Sequence, residues 1–114
     1  MKTLALLQGL YLLISGAWGV LHIESFQRVT GRKTDLWLVK TVGLLLVAVG
    51  IALLVAAARE QFDPALIVVA IGSAAALLII ELVYVPKRVI PPIYWLDGAI
   101  EAGFIVAWTA CLLG

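Results

Sequence analysis

The residues best able to do chemistry lie inside or at the ends of long apolar runs, where ionisable side chains are rare. Lys40 lies about one turn inside an apolar stretch that opens at Leu36, and Glu81 about one turn before another closes at Val85. Asp97 and Glu101 come one and two turns into a run that opens at Ile93, which puts Glu101 roughly 12 Å along a helix axis. His22 and Glu24 close the first apolar run of the chain. Asp97 and Glu101 are four apart, so they share one helix face, and Trp108 lies further along it. Charged groups in such surroundings are costly, so each calls for a reason. One reason is a structural ion-pair network: Lys40 pairs with Glu81, Asp97 or Glu101, and the other groups reach the interface or hold a proton. The other is a binding or proton-handling site. Four carboxylates against one lysine and one histidine leave an excess of acid, which asks for protons or for an external cation. Glu101 is the expected centre of such a site, because it is too deep and too short to reach the interface.

Other chemistries find less support. His22 with Glu81, Asp97 and Glu101 offers nitrogen and oxygen ligands, but the HExxH and ExxH spacings of helical metal sites are absent and Lys40 would repel a cation, so no metal and no cofactor is expected. Gly31–Thr34, GRKT, lacks the upstream glycine of a phosphate loop and reads as a basic loop and helix start. Ser15 and Ser73 have no neighbouring base, so no catalytic motif is present. Cys111 is the only cysteine, which excludes an intrachain disulfide and a CxxC pair. Gln8, within the first apolar run, is expected to bond to another helix.

The elements that must position these residues follow from composition. Of 114 residues, 64% are hydrophobic and 13% charged, far from the balance of a soluble domain. A chain of this length forms one domain, residues 1–114, and cannot bury that much apolar surface in water, so the lipid bilayer is its expected partner. A bilayer core of about 30 Å takes about 20 apolar residues as a helix. Four stretches qualify, at about 3–23, 36–58, 64–85 and 93–113. The class predicted is an all-α membrane protein, a bundle of four transmembrane helices arranged as two hairpins. Thr34 and Asp35 are expected to cap the second span, and Asp63-Pro64 the third. Pro86 ends the third span, and Pro91-Pro92 stiffens the turn into the fourth.

Lys and Arg counts set the orientation. Arg28, Arg32, Lys33, Lys87 and Arg88 fall in the 24–35 and 86–92 connections, against Lys2 and Arg59 on the other side. Five against two predicts both connections in the cytoplasm and both termini outside. Trp37, Tyr84, Tyr94 and Trp95 fall at that same interface, where amphipathic rings prefer to sit. Ala99, Gly103 and Ala107 form a small-residue row in the last span, and Gly43 and Gly50 another in the second; such rows let helix backbones approach, within a chain or between chains. The opening MKTLALLQGLYLLISGAWG has the layout of a signal peptide, but its apolar run continues to Ile23 and reads as a retained span. The charge of +1, with no basic stripe, argues against nucleic acid.

The stretch SFQRVTGRKTDLWLVKTVG, Ser25–Gly43, resembles one shared by uncharacterised small bacterial four-helix membrane proteins. The general shape is also similar to that of the DoxX-like group. The resemblance implies a multi-pass protein of the bacterial inner membrane and carries no activity with it. Three readings follow. The first is a membrane-embedded site, open to the cytoplasm, for protons or a small polar or cationic ligand. The second is a proton-coupled transporter working as a homo-oligomer. The third is a structural subunit whose charges meet a partner in a larger membrane complex.

Overall fold

In lipid, backbone polar groups must be satisfied within the chain, and long apolar runs achieve this as helices. The computed structural model describes residues 1–114 and contains five helices and no strand. They are α1 (Lys2–Leu21), α2 (Ile23–Thr30), α3 (Leu36–Arg59), α4 (Pro64–Tyr84) and α5 (Tyr94–Leu113). All but α2 are long and apolar enough to cross a membrane, and their bounds fall within two residues of those predicted. The chain is a multi-pass membrane protein. Only 19 of 114 residues are buried, so the helices cover each other sparingly and lipid must cover the rest.

The bundle is two hairpins. In the first, α1 and α3 run antiparallel with their backbones in contact. Gly9 faces Gly50, and Gly16 faces Gly43. The two glycines of each helix are seven residues apart, two turns on one seam. A Cβ on Gly50 would lie 2.7 Å from the Gly9 carbonyl oxygen, and one on Gly43 2.7 Å from that of Gly16, so no side chain fits along the seam. In the second hairpin, α4 packs on α5 at Gly98. The Ala99–Gly103–Ala107 row does not take part: Ala99 and Gly103 are exposed, and a Cβ on Gly103 would meet nothing within 4 Å. An apolar core of Ala5, Leu12, Leu53, Ala57, Ile67, Ala70 and Trp108 joins the hairpins towards the end that carries both termini.

Two connections differ from expectation. Asp35 occupies the N-cap of α3 but makes no side-chain bond there. Backbone carbonyls serve instead, with Leu38 and Val39 N–H both donating to the Asp35 carbonyl at 3.0 and 3.3 Å. At α4 the expected cap forms, with Leu66 N–H donating to Asp63 Oδ1 at 2.9 Å ahead of Pro64 at the first position. The 24–35 connection, read as loop, contains α2. Its N-cap is His22, whose ring nitrogen accepts from Ser25 N–H at 3.4 Å. The Trp18 indole donates to Ser25 Oγ at 2.8 Å and meets the Phe26 ring edge-on at 5.3 Å. Gly31 ends α2 at φ 93°, and a Cβ there would lie 2.6 Å from Pro91, so both connections at this end of the bundle touch. Lys33 fastens them, donating to the Thr30 and Gly31 carbonyls while standing 5.2 Å over the Tyr94 ring.

Candidate functional site

Glu81 sits in the last turn of α4, Asp97 in the first turn of α5, and Glu101 one turn further in. The α4–α5 contact brings them into one buried layer. Gly98 makes the room: a Cβ on it would lie 3.3 Å from Glu81 Oε2 and 3.6 Å from Leu78, so the bare backbone lets the carboxyl group of Glu81 lie against α5. Glu81 is 3% exposed and Glu101 0%. Asp97 is half-buried and accepts a hydrogen bond from the Tyr11 hydroxyl of α1. Glu81 Oε2 and both oxygens of Glu101 have no hydrogen-bond partner in the protein.

No base answers these acids. The one ion pair in the chain joins Lys2 to Glu60 at 3.6 Å, at the opposite end and exposed on both sides, where such a pair contributes little. The expected pairing of Lys40 with Glu81, Asp97 or Glu101 does not occur: Lys40 is exposed and makes no ion pair. Depth along the axis put these residues at one level, but α3 packs on α1 through Gly43 and Gly50, whereas the carboxyl groups lie at the α4–α5 contact, and Lys40 stays at the surface. His22 and Glu24 are exposed as well. His22 serves as the cap of α2, and Glu24 lines an open hollow with Gln27, Arg28 and Arg32. The six candidates thus separate into three that meet, Glu81, Asp97 and Glu101, and three at the surface. Glu81, Asp97 and Glu101 share the layer without converging on one point as metal ligands would, and no other group of three His, Cys, Asp or Glu side chains does so.

Tyr11 is the member that sequence reasoning missed. A tyrosine in the middle of a span, far from the interface where Tyr84 and Tyr94 lie, was the available signal. One turn earlier on the same helix, Gln8 bonds as expected to other helices. Its amide nitrogen donates to the Ala70 carbonyl at 2.9 Å, and its amide oxygen accepts from the Trp108 indole at 2.7 Å. This fully buried network separates the carboxyl layer from the opposite end. On that side the layer is bounded by Trp108 and the apolar core. Trp37, Tyr84 and Trp95 ring the end that carries α2, all exposed, with Tyr94 half-buried beneath Lys33.

Such an arrangement defines a four-span membrane protein with an acidic layer buried at the α4–α5 contact and met by Tyr11 of α1. No family model, no curated protein and no solved structure matches the chain.

Proposed function

We propose that the protein is a multi-pass protein of a bacterial inner membrane whose buried carboxyl layer takes up protons or a small cation from the cytoplasmic side. Glu101 carries this reading. It is fully buried, both its oxygens lack a partner in the protein, and the chain supplies no base to the layer. A charged acid in mid-span costs about 2–3 kcal/mol on insertion scales, and a purely structural helix would do better with alanine or leucine there. Three carboxyl groups without a base reach charge balance by binding protons or a cation. Asp97 and Glu81 lie between Glu101 and the end carrying α2, which gives the order of access. The Lys/Arg bias assigns that end to the cytoplasm and both termini to the outside.

The test is infrared difference spectroscopy of reconstituted wild type against Glu101→Gln, across a pH series and with added monovalent cations. The expected result is a carboxyl band that responds to pH or to the cation and disappears in the variant. Identical wild-type and variant spectra, with unchanged stability, would remove the site and leave a structural role. A second reading, an oligomeric transporter or an assembly subunit, is favoured by the outward faces of α4 and α5. Gly72 and Gly103 there are open, with nothing within 4 Å of a Cβ on either, and small residues of this kind suit close contact with another helix.

A further inference from the structure

Charge is distributed very unevenly between the two ends of the bundle. Six of the eight Lys and Arg residues stand at the end that carries α2, and the exposed acids beside them are Glu24 and Asp35. Glu81, Asp97 and Glu101, which would have offset three of the remaining four positive charges, are turned into the bundle. At the other end, Lys2 and Arg59 face Glu60 and Asp63, so that end is neutral in its side chains. Lys33 and Lys87 are engaged with aromatic rings, whereas Lys40 has neither an ion pair nor an aromatic partner. Lys40 also differs in depth. It stands one turn inside α3, on an exposed face shared with Trp37, Thr41 and Leu44, and Trp37 is 68% exposed. No other helix of the chain covers that face. A long lysine there extends towards the interface and meets headgroup phosphates.

We propose that this end of the bundle is a docking surface for anionic phospholipid, with the Lys40 ammonium and the Trp37 ring holding one headgroup on α3 and Arg28 on α2 and Arg32 in the turn after it drawing others. The partner's chemistry follows from the charges. A zwitterionic headgroup brings its own cation and leaves the excess uncompensated, whereas an anionic one cancels it. α2 suits the role because it is fastened through Trp18, Lys33 and the Gly31–Pro91 contact, so Arg28 on the helix and Arg32 just past its Gly31 cap stand on a fixed platform at the bundle end.

Native mass spectrometry of the full-length protein, released from detergent after titration with phosphatidylglycerol or phosphatidylcholine, tests this directly. Phosphatidylglycerol should be retained in preference, and the preference should weaken as salt rises. Lys40→Gln and Arg28→Gln should each lower phosphatidylglycerol affinity by about fivefold, as one juxtamembrane cation contributes. Lys40→Arg should keep it, and Lys2→Gln at the opposite end should leave it unchanged. These are exposed side chains whose replacement does not disturb the packing, and a thermal melt of each variant checks that the fold is kept. Equal retention of the two lipids overturns the proposal, as does an equal loss from Lys2→Gln. Competition by inorganic phosphate at concentrations near that of the lipid would identify a free-anion site instead and also overturn it.

Discussion

Replacing Gly50 by alanine would place a methyl carbon 2.7 Å from the Gly9 carbonyl oxygen and 2.8 Å from the Leu13 nitrogen. Close carbon–oxygen contacts between helices settle at about 3.3–3.6 Å, so α1 and α3 would have to part by more than half an ångström at that point. Both obstacles are backbone atoms, and no rotamer change relieves them. Overpacking of this kind costs about 1–3 kcal/mol, and the better helix propensity of alanine offsets up to about 1 kcal/mol. The net expectation is a loss of about 1–2 kcal/mol, with Gly16→Ala and Gly43→Ala behaving alike. Gly103→Ala and Gly72→Ala are the controls, because a Cβ at either position meets nothing within 4 Å; they should stay within about 0.5 kcal/mol of wild type or gain stability. Reversible unfolding in mixed detergent micelles, followed by circular dichroism, reads the difference. If Gly50→Ala is no less stable than Gly103→Ala, the glycine seam is wrong.

Three further outcomes are expected. Gln8→Leu leaves the Trp108 indole without its acceptor, so Gln8→Leu and Trp108→Phe should be coupled by about 0.6–1.7 kcal/mol in a double-mutant cycle; additive losses would break the link between α1 and α5. Tyr11→Phe should destabilise wild type but do little in an Asp97→Asn background if the Tyr11–Asp97 bond is what Tyr11 supplies, and equal losses in both backgrounds would assign Tyr11 a packing role only. Cysteines introduced at Arg28 and Lys87 should label from the cytoplasm, and labelling of both from the outside would reverse the assigned orientation.

The sequence made the four spans legible because apolar length is a strong signal, and the Asp63-Pro64 start was legible because cap and proline coincide. α2 was not: eight residues with polar and apolar types interleaved leave little for a hydrophobic run to show, and its cap is a histidine bonded to Ser25. For the carboxyl layer, axial depth was readable and helix rotation was not. Counting turns gave Lys40, Glu81, Asp97 and Glu101 similar levels, yet whether each faced in or out depended on contacts such as Gly43 against Gly16 and Gly98 against Glu81. The pairing of Gly9 and Gly16 with Gly50 and Gly43 had a trace in the chain, the same seven-residue interval in both helices. The outward Ala99–Gly103–Ala107 row shows that a small-residue pattern does not by itself name its partner.

The bonds of α1 impose an order in time on the making of the protein. Gln8 and Tyr11 are synthesised well before their partners: Ala70 is 62 residues after Gln8, Asp97 is 86 after Tyr11, and Trp108 is 100 after Gln8. With translation at about 5–20 residues per second, Gln8 waits roughly 5–20 s for the Trp108 indole. Gly50 follows far sooner, so the α1–α3 seam can close while the second hairpin is still on the ribosome. The first hairpin is then a template that enters the bilayer with two polar side chains, Gln8 and Tyr11, on the flank where α4 and α5 must later dock. Their unmet hydrogen bonds would favour one docking register of the late-arriving pair, the register that closes the carboxyl layer.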